Sequence, residues 1–316
     1  VLQQNFTPAA QGETRIGDGG LRRVSDKGAV RAGVALPEPP AAATEGPSRY
    51  RLLPDRRAQS AEQRSLRRDL SAATSEGRFV LQFQPRMPLR PGRTAAAEAM
   101  VRWPHRKRGM MSPASFMPMA EQTGHVVEIG GWALREACRE AAAWPGVIGV
   151  SVNASRRQVR EGLLAGQVGV ALAESGLDPE RLTLELTEAL LLDLDIETIM
   201  TLSAIRDLGV GLTADDFGAA HASVATLKRL PLTGMKLDRT LVRGLPDDAE
   251  DAAIARGLIG IGHAVGLVVA AEGVETDAQR TCLARAGCDE AQGPLFGHAV
   301  TAAQLPRALR GGSTRA

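Results

Sequence analysis

The sequence predicts an α/β protein built as a TIM-like (β/α) barrel, and three observations predict it. Short apolar runs alternate with longer amphipathic stretches from about residue 79 onward, and repeated strand–helix alternation marks α/β architecture. There are about eight such units in about 240 residues, the size and count of a barrel. Nearly every run finishes in a polar residue able to bind a metal or a phosphate, and strand ends are where barrels carry their chemistry. A doubly wound open sheet is the competing architecture. No G-x-G-x-x-G turn follows the early strands, which counts against it.

Residues 1–48 are rich in Gly, Pro, Ala and charge, with no sustained apolar period. They predict a linker or disordered tail. Residues 49–69 read as a connecting helical segment, and "SRYRLLPDRR" at its start looks like the end of an upstream domain. The stretch Ala61–Glu76 has helical composition. The barrel domain is then expected over 70–310, with a short tail at 311–316.

Strands are expected at "FVLQFQP", "AAAEAMVRW", "VIGVSVNAS", "LTLELTE", "VGLTADDFG", "GMKLD", "LVVAAEG" and "CDEAQG", each short, apolar and bounded by turn residues. Helices are expected at "SPASFMPMAEQTG", "WALREACREAAAW", "RRQVREGLLAGQVGVALAESG", "DIETIMTLSAIRDLG" and "DAAIARGLIGIGHAVG". Ser112 before Pro113 reads as an N-cap followed by proline in the first helical position. Several of these stretches end in glycine, as helix C-termini prefer.

Composition narrows the function. Aromatic residues make up 3% of the chain, so the core must be built from Val, Leu, Ile and Ala. A formal net charge of +2 gives no basic face for general nucleic-acid binding, so no DNA partner is expected. Cys138, Cys282 and Cys288 follow no framework spacing and read as small buried residues in a reducing compartment. No run of about 18 apolar residues is present, so no membrane span is expected. A cytoplasmic location is the default. His105, His125, His263 and His298 show no metal-ligand spacing.

The expected strands finish, in order, in Gln84, Glu98, Asn153, Glu185, Asp215 with Asp216, Lys236, Glu272 and Gln292. If these ends converge, five carboxylates and a lysine share one mouth, and their repulsion demands cations. Oxygen ligands suit hard ions, so Mg²⁺ or Mn²⁺ is implied. The adjacent pair Asp215-Asp216 fits a two-metal site, a device that activates water and stabilises in-line displacement at phosphorus. Lys236 can orient that water or offset charge on the phosphate.

Singly, each residue also has a plain structural reading. Glu98 suits a surface salt bridge, Asn153 a turn and Asp215-Asp216 a helix cap. Lys236 can pair with Asp238 on an exposed strand, Arg102 can lie on Trp103, and Glu272 with Glu275 suits a solvated helix start. His221 reads as an exposed loop histidine, with a pH-sensitive role as the alternative.

The motifs "EAMVRW", "VNAS", "LELTE", "DDFG", "KLDR", "AEGVE" and "CDEAQG", with "LQFQP" upstream, resemble the EAL-domain family in order and spacing. The resemblance covers about 70–310. It implies a modified TIM barrel with one reversed strand, and metal-dependent hydrolysis of cyclic-di-GMP to linear pGpG. It implies that Glu98, Asn153, Glu185 and Asp215 hold one ion and that Asp215 and Asp216 hold a second. Glu272 is expected beside the ions, and Lys236 on the attacking water. Gln84, Arg102, Glu275 and Gln292 are expected on the substrate side, and Glu188 anchors the loop after the fifth strand. The resemblance further implies a homodimer and an upstream sensory or GGDEF-type domain.

Two departures from the family pattern stand out. Met100 replaces the leucine of Glu-Ala-Leu, a swap that conserves volume. The loop usually read as D-D-F-G-T-G-Y-S-S is here Asp215-Asp216-Phe217-Gly218-Ala219-Ala220-His221-Ala222-Ser223. This predicts reduced or partner-dependent turnover, because a small misplacement of catalytic groups costs about 10²-fold in rate. Pro294 also stands where an aromatic residue is common. The alternatives to an active phosphodiesterase are a catalytically weak or inactive domain acting as a cyclic-di-GMP receptor or protein-interaction module, and an unrelated barrel metalloenzyme.

Overall fold

Alternation within each short run decides which side of the sheet is dry. In "LTLELT", Leu182, Leu184 and Leu186 occupy one face and Thr183, Glu185 and Thr187 the other, since successive side chains of a strand point oppositely. The three leucines are fully buried in the main apolar cluster. The computed structural model describes residues 56–312, apart from 93, 192–194 and 219–223. The expected linker at 1–48, His221 and the altered positions 219–222 lie outside the described residues.

Nine strands are described: β1 Val80–Pro88, β2 Ala96–His105, β3 Gly109–Met111, β4 Gly149–Ala154, β5 Leu182–Thr187, β6 Gly211–Phe217, β7 Gly234–Leu237, β8 Val268–Ala271 and β9 Glu290–Gln292. Twelve α-helices are described: α1 Arg56–Ser75, α2 Pro113–Thr123, α3 His125–Ala142, α4 Arg156–Arg160, α5 Leu164–Ser175, α6 Glu188–Leu191, α7 Ile196–Asp207, α8 Val224–Arg229, α9 Arg239–Arg243, α10 Ala249–Ala264, α11 Asp277–Ala286 and α12 Leu305–Gly312.

The strands close in the order β1-β9-β8-β7-β6-β5-β4-β2, with β2 pairing back to β1. This is an eight-stranded barrel, with β3 appended to β2. Strand β1 runs antiparallel to both its neighbours, while the other ring strands are parallel. The open sheet is excluded, and all eight expected strands are present.

Two details differ from the sequence reading. Glu98 and Gln84 do not end their strands. Strand β2 continues for seven residues past Glu98, and Trp103–His105 leave the ring to pair with β3. Gln84 lies in the middle of the reversed strand, directly opposite Glu98. The stretch at 156–176 forms two helices, α4 and α5, split by Gly162 at φ 68°. Ser112 holds the N-cap position of α2, but its side chain makes no cap bond and lies 3.4 Å from Ser115 Oγ instead.

The aliphatic cluster between strands and helices contains residues such as Val150, Leu184, Leu212, Val269 and Ile259, as the scarcity of aromatics predicts. Phe83, Trp144 and Phe217 join that cluster, and the other buried aromatics gather elsewhere. Phe79, Trp103 and Phe116 pack with Leu70 and Ala73 of α1 and Ile129 of α3 in a second cluster, with ring centroids 5.7–6.2 Å apart. Cys138 and Cys288 are buried as expected, whereas Cys282 is half-buried. No helix among the described residues is long and apolar enough to cross a membrane.

Candidate active site

Many inward positions of the barrel strands are polar, and those between them, such as Ala96, Gly149, Gly234, Val268 and Ala270, are small or aliphatic. The polar ones include Gln84 and Arg86 on β1, Glu98 on β2, Ser151 and Asn153 on β4, Thr183 and Glu185 on β5, Thr213 and Asp215 on β6, Lys236 on β7, and Glu290 and Gln292 on β9. Barrels of this class ordinarily fill their bore with Val, Ile and Leu. Here charge replaces that packing.

Lys236 is the hub. It is fully buried, and its Nζ lies 2.9 Å from Glu185 Oε2, 3.2 Å from Glu98 Oε2 and 3.2 Å from Asp215 Oδ1. It also pairs with Glu272. The reading of Lys236 as a partner of Asp238 on an exposed strand is thus overturned. Asp238 instead caps α9, accepting from Thr240 N at 2.8 Å.

Glu98 is buried as well, which overturns the surface reading. Its Oε1 accepts from Asn153 Nδ2 at 2.9 Å, and its Oε2 accepts from Gln292 Nε2 at 2.8 Å. Gln292 also donates to Gln84 Oε1 at 3.1 Å. Four expected site residues therefore form one bonded network. Burial pushes the Glu98 carboxyl up, but Lys236 and the bonds from Gln292, Asn153 and Lys236 outweigh it, so Glu98 is held below the usual carboxylate range.

The remaining carboxylates move the other way. Burial, and then the charge of Glu98, push Glu185 to about 7 despite Lys236. Burial pushes Glu272 to about 8, with Asp215, Glu98 and Glu185 adding to it and Lys236 opposing. Asp215 is raised by burial and by the charges of Glu98 and Asp216, and Asp216 by burial and by Asp238. Lys236 is pushed well above its usual value, because four carboxylate charges outweigh the effect of burial.

The chain bends to bring two adjacent carboxylates to one side. Ordinary alternation would send Asp215 and Asp216 to opposite faces. The β6–β7 register slips between Ala214 and Phe217, and Asp216 takes φ 55°. It is the single non-glycine residue with positive φ among those described. Strain of this kind costs about 1–3 kcal/mol and gathers at functional sites. Oxygens of Asp215, Asp216 and Glu272 come within 4.8 Å of one another.

This donor set suits hard divalent ions. All its ligands are oxygens, and the carboxylates of Glu98, Glu185, Asp215 and Glu272 share the single ammonium of Lys236. Among the expected metal ligands, Asp215, Asp216 and Glu272 form the compact cluster. Glu98 and Glu185 join them through Lys236, and Asn153 joins through Glu98.

The substrate-side residues are divided. Arg102 does not lie on Trp103. Its Nε donates to Gln82 Oε1 at 2.9 Å, and one Nη lies 3.3 Å from Met100 Sδ. The residue that departs from Glu-Ala-Leu therefore touches the arginine beside the mouth. Glu275 is exposed and outside the network; its backbone N–H donates to Gln279 at 2.7 Å, beside the capping box that starts α11. Glu188 opens α6, but its side chain lies outside the described residues.

Sequence reasoning missed Arg86. It is buried, with Nη1 3.2 Å from Glu185 Oε1 and Nε 2.9 Å from Glu290 Oε2. The signal was available in "VLQFQPRMP", where Gln82, Gln84 and Arg86 repeat at a period of two.

A closed barrel with one reversed strand and a carboxylate-lined mouth defines an α/β barrel whose site suits oxygen-bound cations. The EAL domain profile matches residues 67–299, and this chain belongs to the EAL domain family. It is 37% identical over 252 residues to the bifunctional diguanylate cyclase/cyclic di-GMP phosphodiesterase MucR of Pseudomonas aeruginosa, covering 78% of this chain and 37% of MucR. It is 35% identical over 257 residues to the cyclic di-GMP phosphodiesterase NbdA of the same species, covering 80% of this chain and 33% of NbdA. The chain thus spans about a third of the length of these curated relatives. The solved MucR phosphodiesterase–c-di-GMP complex superposes with a TM-score of 0.72 at 37% identity, covering 76% of this chain and 99% of that one. The EAL domain of Mycobacterium smegmatis DcpA superposes at 0.62 with 32% identity, covering 74% and 98%.

Proposed function

We propose that this chain is a metal-dependent cyclic-di-GMP phosphodiesterase that opens one ring phosphodiester to give linear pGpG. The observation that carries this reading is the convergence of Asp215, Asp216 and Glu272 within 4.8 Å, beside a buried lysine, in an EAL barrel. The names of MucR and NbdA support the substrate. Water forms the new bond to phosphorus, one P–O ester bond breaks, and the departing oxygen becomes a ribose hydroxyl by taking a proton.

Two ions, Mg²⁺ or Mn²⁺, supply Lewis acidity and an acidified water when bound. Glu98, Asn153, Glu185 and Asp215 are assigned to hold one ion, and Asp215 with Asp216 the other, with Glu272 beside them. Lys236 bridges these carboxylates, and its ammonium is assigned to orient the water and to offset charge on the phosphate. Gln292 donates to Glu98 and to Gln84 of the reversed strand, and Gln84, Gln292, Arg102 and Glu275 are assigned to the nucleotide. Glu188 is assigned to anchor the loop at 219–223. The chain is assigned to the cytoplasm, as a homodimer downstream of a sensory or GGDEF-type domain.

The test is incubation of purified protein with cyclic-di-GMP and Mn²⁺ or Mg²⁺, with chromatographic detection of pGpG. Turnover is expected, and restoring Thr-Gly-Tyr-Ser at 219–222 is expected to raise it. No product with either metal at high enzyme concentration overturns the reading. Calorimetric binding of cyclic-di-GMP without product would make the chain a receptor instead.

A further inference from the structure

Arg86 lies beneath the mouth, on the floor of the site. Because β1 is reversed, its last residues meet the first residues of the parallel strands: Arg86 pairs with Ala96 at the start of β2, and Pro88 with Glu290 at the start of β9. The side chain then reaches upward inside the ring to Glu185, two strands beyond β2. Glu185 has no exposed surface, and both its oxygens are engaged, Oε1 by Arg86 and Oε2 by Lys236. Below, Arg86 and Glu290 line a cavity of about 190 Å³ together with Thr183, Thr213 and Thr233. The pair is the layer between that cavity and the site.

We infer that Arg86 is a positioning residue: it pins one oxygen of Glu185 so that the other faces the metal position, while Glu290 neutralises the arginine. This rests on the reading of Glu185 as a metal ligand. The geometry favours pinning over a purely structural ion pair for two reasons. The guanidinium donates one hydrogen bond to Glu185 and stands in an ion pair with Glu290 on a different strand, and a planar, rigid group holds that direction better than a lysine point charge. Glu290 sits 2.9 Å away, so the pair projects little net charge toward the mouth. Its contribution is the direction of Glu185, and outer-shell partners of metal ligands are typically worth about 10–100-fold in metal affinity.

The clean variant is Arg86→Leu/Glu290→Leu, which removes the pair without stranding either charge. Mn²⁺ affinity is measured by calorimetry on the full chain without nucleotide, with circular dichroism as the check on folding. The double variant is expected to bind Mn²⁺ about 10–100-fold more weakly. Its kcat at limiting Mn²⁺ is expected to fall and to recover at high Mn²⁺, with KM for cyclic-di-GMP little changed. Arg86→Lys, which keeps the charge but loses the fork, is expected to fall between wild type and the double variant, and it carries the test if the double variant does not fold. Mn²⁺ affinity within twofold of wild type in the folded variant overturns the role of Arg86. Failure of the wild-type chain itself to bind Mn²⁺ overturns the metal reading above, a separate result.

Discussion

The two faces of the same barrel strands follow opposite rules. On β5, Leu182, Leu184 and Leu186 face the helices and Glu185 faces the axis, and all four are fully buried. The outer face gains from burial, at about 25 cal/mol per Å² of apolar surface. The inner face opposes folding, because charged groups leave water for a site where carboxylates outnumber cations. One strand thus carries both the stability and the chemistry, and its period of two keeps them apart.

The sharpest way to break this comparison is to delete one residue from each face. Glu98→Ala is expected to abolish hydrolysis, by about 10³-fold or more, as losses of transition-state electrostatics do. Leu182→Ala is expected to leave turnover per folded molecule unchanged while lowering stability by about 2–5 kcal/mol. Paired pGpG assays and denaturant titrations read both. A Leu182→Ala protein that folds but loses turnover would falsify the separation of faces.

Asp216 provides the next test. Asn tolerates the left-handed backbone, so Asp216→Asn removes charge while keeping the turn. Turnover is expected to drop by about 10²-fold, with the melting temperature unchanged or raised. A clear loss of melting temperature would mean that the carboxylate holds the turn itself.

The inner face should also reveal itself through pH. Glu185 and Glu272 ordinarily lose their protons near 4.5, but in the folded, metal-free site they do so near 7 and 8. Between those values the folded state holds protons that the unfolded chain has released, so stability falls as pH rises from about 5 to 8. Below about 4 both states are protonated and the effect is absent. Melting curves in EDTA should show this slope, Glu272→Gln should flatten it, and Mg²⁺ should reduce it. A slope unchanged in Glu272→Gln would refute the account.

The smallest effect is expected at Met100→Leu. Volume is conserved, so the stability change should stay under about 1.5 kcal/mol. Loss of the 3.3 Å contact to Arg102 should alter KM for cyclic-di-GMP by no more than about threefold, a shift of under 1 kcal/mol. A larger change in KM would promote Met100 from packing to substrate placement.

Much of this was legible in the sequence. All eight ring strands follow from apolar runs bounded by turns. Lys236, Glu98, Glu185 and Asp215 stand out because polar residues interrupt those runs. Glu275 is expected on the substrate side only through its motif, and it lies exposed beside the α11 cap. Arg86 was passed over because "QPRMP" reads as the end of a strand running toward a loop. Only the reversal of β1 turns that end beneath the site.

The sequence by itself determined the eight ring strands, the dry and polar faces, and most of the charged residues of the site, because each is a matter of local period and residue type. The tertiary structure decided which of those residues meet. It set Gln84 opposite Glu98, carried β2 past the ring into the aromatic cluster, and turned Asp216 through a left-handed φ to stand beside Asp215. It also placed Lys236 among four carboxylates and Arg86 under Glu185. Those contacts depend on ring closure and strand direction, which are properties of pairings distant in sequence and leave no trace in local period.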